Sequence, residues 1–189
     1  MLKHTKGKTS GFTIIETMIV LAIAGLIMLI VFLAVPALQR SARNTQRKND
    51  VAGIASAIAN YIDNNGGTLP NSTAPNGATS KTVLIGNGCS ATGTPPCTGN
   101  SESVKLGYYN PSNVQYYSGT STLANGDTIA TLGVTGAPSG TSNFQEYVLI
   151  VNGWTCNSNN TALGSPNDRT AAVLYQLEGA GNSYECQEQ

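Results

Sequence analysis

Few residues in this chain are of types that do chemistry, and the sharpest of them is Glu16. It stands alone, four residues after Phe12, just ahead of residues 18–35, an apolar run without one polar side chain. A carboxylate deep in a bilayer costs roughly 2.5–3.5 kcal/mol on insertion scales. Glu16 therefore needs either a place near the headgroups or a partner. At a helix N-terminus it meets the positive end of the helix dipole. A cut between Gly11 and Phe12 offers a second partner, a new α-amine at Phe12. That amine lies four residues away on the same face, or on a neighbouring copy.

The other reactive side chains are four cysteines, Cys89, Cys97, Cys156 and Cys186. None is in C-x-x-C spacing, and the one histidine, His4, lies before the apolar run. Thiolate-only zinc sites normally use short C-x₂₋₄-C pairs, so the expectation is no metal. An even count in an exported, loop-rich domain reads as a disulfide framework. Three pairings are possible; neighbours in sequence favour Cys89–Cys97 and Cys156–Cys186. The acids beyond residue 66 are scattered singly, which leaves no catalytic cluster and no full calcium loop. Gly86, Gly88 and Ala91 fit G-x-G-x-x-A, but Pro95 and Pro96 forbid the helix a dinucleotide site needs. No cofactor and no enzyme activity are expected.

The elements that position these residues begin with a short basic leader, Lys3, His4, Lys6 and Lys8, the n-region of an export signal. An ordinary secretory signal has a shorter apolar core, with its cleavage site after it. Here the apolar run is membrane-length: as a helix, residues 14–38 would span roughly 30 Å or more. Gly25 and Pro36 weaken that helix, glycine by about 1 and proline by about 3 kcal/mol relative to alanine. They are candidate helix breaks. Past Pro36 the pattern turns amphipathic, with Val51, Ile54, Ala55, Ile58, Tyr61 and Ile62 on one stripe. Arg40, Arg43, Arg47, Lys48 and Asp50 form a polar collar before it, expected as a solvated or inter-subunit surface. Asn64-Asn65-Gly66-Gly67 should end the helix. The whole predicts one helix over residues 12–63, about 75–80 Å long.

Basic leader, Gly11-Phe12-Thr13, Glu16, then a membrane-length apolar helix: in that order these features resemble the N-terminus of type IV pilins, the class III prepilins. The resemblance covers roughly residues 1–62. It implies cleavage after Gly11 by a prepilin peptidase, N-methylation of Phe12, and polymerisation through the helix with Glu16 paired to a neighbour's amine. Gly25 matches the family's helix-weakening glycine. The proline departs, since the family's more often sits where this chain has Leu33. Any unwound segment would be longer or shifted.

Formal net charge is zero, but residues 1–66 carry a net +4 and residues 67–189 a net −4. The body thus offers no basic face for direct nucleic-acid binding. Lysines before the apolar run and arginines after it nearly tie the positive-inside rule. The cysteines break the tie, placing the N-terminus in the cytoplasm and the body outside. Residues 82–85, 105–109, 128–134, 146–151 and 171–177 read as β-like runs. Turn residues such as Asn125-Gly126-Asp127 and Pro138-Ser139-Gly140 bound them. Tyr108–Tyr109 and Tyr116–Tyr117 read as pairs pointing to alternate sheet faces.

The expected fold is α+β: a long N-terminal helix packed on a small C-terminal antiparallel sheet. Its parts are a cleaved leader (1–11), a transmembrane or filament-core helix (12–38) and an amphipathic half (39–65). A variable connecting loop region (66–127) and a sheet with a C-terminal disulfide region (128–189) follow. The expected function is a homopolymer-forming major subunit of a surface type IV pilus, serving attachment, motility or DNA uptake. Its partners would be other copies, the peptidase, an assembly platform and, before assembly, the cytoplasmic membrane. A type II secretion pseudopilin and a non-polymerising surface-display protein are the alternatives.

Overall fold

The structure is a computed structural model that describes residues 11–76, 80–90, 92, 96–119, 122–137, 143–179, 181 and 183–189. The leader charges, Ala91, Pro95 and Pro138-Ser139-Gly140 lie outside the described residues. The chain divides into two compact units, Met1–Gln39 and Arg40–Gln189.

Helix α1, Ile14–Asn64, contributes its first part to one unit and the remainder to the other. It starts two residues later than expected. It also runs unbroken through Gly25 and Pro36. A proline removes one intrahelical donor, and the turns on either side keep theirs. At the C-terminus Gly66 (φ +65°) and Gly67 (φ +86°) turn left-handed, and the Gly67 N–H donates to Ile62 O at 2.9 Å. Glycine takes that conformation without a Cβ penalty, which closes the helix.

The second unit is α+β: its helical part packs on small, mostly antiparallel sheets. β1 (Ser72–Pro75), β2 (Thr82–Gly86) and β3 (Ser101–Lys105) form one antiparallel sheet in that order. β4 (Val114–Tyr116), β5 (Val148–Cys156), β6 (Leu163–Leu177) and β7 (Ser183–Glu188) form the other. There β5, β6 and β7 are antiparallel, and the short β4 lies parallel to β5. Successive strand residues face opposite ways. Val148 and Ile150 therefore join Val51, Ile54 and Ile58 of α1 in one core. Leu149 and Val151 join Ile129, Phe144 and Leu163 in a second. Burial on both faces explains why β5 opens with four consecutive apolar residues instead of alternating.

Four expectations are corrected. Residues 66–127 hold four of the seven strands described, where only the runs at 82–85 and 105–109 were expected as strands. Residues 128–134 are not a strand but carry a short helix α2, Ile129–Leu132. The Thr128 N–H donates to Thr131 Oγ1 at 2.8 Å, and Gly133 (φ +74°) stops the turn, so local capping beats β-propensity. The run at 105–109 ends as a strand at Lys105. The N–H groups of Gly107, Tyr108 and Tyr109 are taken by the Asp50 carboxylate at 2.7, 2.8 and 3.0 Å. A donor bound to a side chain is lost to a β-ladder.

The collar is the fourth correction, because much of it is an internal clamp. Arg43 Nε and Nη2 donate to the two oxygens of Glu178 at 2.8 and 2.6 Å. Arg47, fully buried, adds a bond to Glu178 Oε1 at 2.8 Å and lies 4.2 Å from the Tyr108 ring centre. Asn44 Nδ2 donates to Glu178 O, while the Glu178 N–H donates back to Asn44 Oδ1. Lys48 pairs with Glu185 of β7 at 3.1 Å. The Arg43 hydrogen bonds, then Arg47, hold the Glu178 carboxyl down to about 2 against a burial that pushes it up. Arg40 stays exposed. Only one of the two tyrosine pairs splits between faces, because Tyr108 and Tyr109 both pack against the first core with their ring centres 5.3 Å apart. Tyr109 is buried against the helix side and Tyr108 partly so, while Tyr116 and Tyr117 pack on opposite cores.

Candidate functional site

The start of α1 is where the chain concentrates unusual features. Thr13 precedes the first helical residue, Ile14, and Glu16 is the third residue of the helix. The backbone N–H and the hydroxyl of Thr13 both donate to Glu16 Oε2 at 2.8 Å. The Glu16 N–H donates to Thr13 Oγ1 at 3.3 Å. This is a reciprocal capping box: two N–H groups the helix cannot satisfy itself are both bound. The carboxylate also sits at the positive end of the helix dipole. The T-x-x-E spacing was the signal for it.

Phe12, 89 % exposed, lies just before that box. A Cβ placed on Gly11 or on Gly25 meets nothing within 4 Å. Neither position has the positive φ that favours glycine. The fold of this chain alone therefore does not require glycine at either place.

Beyond Glu16, α1 is long and apolar enough to cross a membrane. Its large apolar side chains, Ile19, Leu26, Phe32 and Leu33 among them, are exposed rather than packed. Contiguous exposed apolar surface on this scale marks a site of membrane or protein contact.

The cysteines lie in the second unit. Cys89 is bonded to Cys97, and Cys156 to Cys186, at sequence separations of 8 and 30. The second bond joins the last residue of β5 to the final strand, and Cys186 packs into the second core. No group of three or more potential metal ligands occurs among the described residues. Asp127 is engaged locally, accepting from the Ala124 N–H and from Thr131 Oγ1.

Sequence reasoning missed Glu178 and the use of Asp50. Arg43 and Arg47, one helical turn apart, were the available hint that one acid would serve both. Which scattered acid it would be depended on the chain path.

Among the curated proteins and the solved structures, none matches the chain. A family model, the prokaryotic N-terminal methylation motif, matches residues 6–32. Those residues include Gly11, Phe12, Thr13, Glu16 and most of the apolar run. The chain thus carries the class III prepilin signal of type IV pilin-like proteins.

Proposed function

We propose that this chain is a structural subunit of a type IV pilus, cut after Gly11 and polymerised through its N-terminal helix. The observation that carries the reading is a membrane-length helix with exposed apolar side chains, directly behind a processing motif. Such a surface needs cover, from lipid before assembly and from other copies after it. Gly11 supports the cut, since nothing in the chain's own packing asks for glycine there. Phe12 then carries a new amine, and N-methylation is its expected modification. Glu16 pairs with that amine on a neighbouring copy and so helps set the register between copies. Gly25 and Pro36 mark where the helix yields on packing. The second unit lies outside the cell, where both disulfides persist.

The test is intact mass and N-terminal sequencing of protein sheared from cells. The expected chain starts at Phe12, is heavier by one methyl group, and is four hydrogens lighter for the two disulfides. A chain that still starts at Met1 and stays in the membrane fraction overturns the proposal. A processed chain found only in trace amounts in the sheared fraction makes it a secretion pseudopilin instead.

A further inference from the structure

Five asparagines stand directly before a glycine: Asn65, Asn76, Asn87, Asn125 and Asn152. Asparagine is among the chemically labile side chains. It is most open to attack by its own backbone before glycine, where no Cβ crowds the next nitrogen. That nitrogen gives up its proton to base and attacks the side-chain Cγ. The bond from Cγ to the amide nitrogen breaks, and the amide leaves as ammonia with a proton from water. The five-membered succinimide ring then takes up water at either carbonyl and opens to aspartate or isoaspartate. Water is the only co-reactant, and nothing is oxidised or reduced.

The fold treats the pairs differently. The Gly126 N–H donates to Leu163 O at 2.8 Å. The Gly88 N–H donates to Asn71 Oδ1 at 3.1 Å, and Asn87 Oδ1 accepts from the Asn71 N–H at 3.0 Å. At both pairs the proton that has to leave is held. Asn152 lies within β5, with Nδ2 tied to Pro70 O at 2.6 Å and Oδ1 buried. Gly77, which follows Asn76, lies outside the described residues.

Asn65-Gly66 is the open pair. It sits just past the last residue of α1, and Gly66 is exposed. The Gly66 N–H donates to nothing among the described residues. A Cβ built on Gly66 meets nothing within 4 Å, so base reaches the nitrogen and the ring has room. Asn65 Oδ1 makes only a long contact with Asn100 Nδ2, at 3.4 Å. The one firm bond that has to give is Asn65 Nδ2 to Tyr61 O, at 2.8 Å.

The product works against the helix end. It removes that donor from Tyr61 O and places a carboxylate at the electronegative end of α1. Asp63 is close in sequence, and Glu102 is already bound to Asn64 at 3.1 Å. Isoaspartate also lengthens the backbone inside the loop that the Gly67 N–H closes onto Ile62 O at 2.9 Å.

We propose that Asn65 is a site of spontaneous modification: it closes on the Gly66 nitrogen, becomes aspartate or isoaspartate, and so loosens the last turn of α1. The reaction requires neither cleavage nor filament formation, so it stands or falls separately from the pilus reading.

The test holds the unaltered full-length protein in detergent at mildly alkaline pH for weeks, then digests it and maps the peptides by mass. Asn65 should convert first, in proportion to hydroxide. It should lead Asn87 and Asn125 by roughly tenfold, the effect on rate of releasing one backbone hydrogen bond. In denaturant the three rates should converge. Deuterium exchange at residues 62–67 should be faster in the aged protein than in the fresh one, and Asn65→Asp should reproduce that rise. An intact Asn65 in a sample where Asn87 or Asn125 has converted overturns the proposal. So does an equal lead for Asn65 in denaturant, because the order would then belong to local sequence. Unchanged exchange at residues 62–67 after conversion overturns the loosening.

Discussion

Replacing Glu178 with glutamine should loosen the helix from the rest of the second unit, and the size of the effect follows from the clamp. The Glu178 carboxyl is held at about 2, against an ordinary 4.5. At 1.36 kcal/mol per pH unit, full shielding would make that depression worth about 3 kcal/mol. Arg43 is 41 % exposed, however, so solvent screening reduces the share to about 1–2 kcal/mol. The substitution has a second cost, because the Arg47 side chain is 0 % exposed and loses its counter-charge. Breaking a buried pair from one side costs about 3–5 kcal/mol. Arg47 keeps Asn44 and the Tyr108 hydroxyl as partners, which softens the loss. The net expectation for Glu178→Gln is about 2–3 kcal/mol, or about 5–10 °C in Tm for a domain of this size. The folded value lies below the unfolded one. The carboxylate's contribution is therefore full above about 4.5 and fades as the pH falls toward about 2. Glutamine has no such dependence, so the gap between the two proteins should close across that window. The assay is denaturation followed by Trp154 emission in detergent, at about pH 6 and about pH 2.5. Arg43→Met, at the exposed end of the clamp, should cost less than about 1 kcal/mol. A gap below about 0.5 kcal/mol at neutral pH, or one equally large in acid, would refute the reasoning.

Asp50→Ala strips the acceptor from three backbone N–H groups and should cost about 3 kcal/mol, with proteolysis appearing first at residues 106–110. Unchanged protection of that segment counts against the assignment. Replacing both Cys156 and Cys186 by serine should cost about 3.6 kcal/mol by loop entropy, against about 2.5 for the Cys89 and Cys97 pair. Denaturant midpoints of the two double variants test that order, and its reversal argues against chain entropy as the cause. Glu16→Ala loses the capping box, about 1 kcal/mol of local helix stability. It should still insert and be cut, but give few filaments on shearing. A normal filament yield removes Glu16 from assembly.

The sequence made some elements legible because a single periodicity dominated them. Val51, Ile54 and Ile58 repeat at helical spacing and are fully buried on the core side. Asn65-Gly66-Gly67 ended the helix where the chain must turn left-handed. The run at 146–151 read as a strand, and its last four residues, all apolar, open β5 because they are buried on two faces at once. Short strands were not legible. β1 is Ser-Thr-Ala-Pro and β4 is Val-Gln-Tyr, too brief for alternation to show and rich in turn formers. Long-range partners were hidden for a different reason. Arg43 and Glu178 are 135 residues apart, so their meeting depends on how β6 is threaded, which local pattern does not encode. The collar looked solvated because charges usually are.

Glu16 shows how a correct residue can be found for only half of its chemistry. Its position ahead of an apolar run marked it, and the methylation motif includes it. Its partner in the uncut chain, Thr13, passed unnoticed, although T-x-x-E at a helix start is a capping signature. The two roles bear on each other. In the uncut chain Thr13 offers a neutral hydroxyl and an amide N–H, so the carboxylate is satisfied locally and the apolar helix can sit in lipid. A cut before Phe12 adds a charged donor, so Glu16 gains a partner ionised on both sides, where the Thr13 bonds are ionised on the acceptor side alone. In the reading proposed above, the capping box is therefore the resting arrangement and the amine pair displaces it. Thr13→Val separates the two. It should leave cleavage intact and cost about 1 kcal/mol at the helix start, while Glu16 keeps its full effect on filament yield.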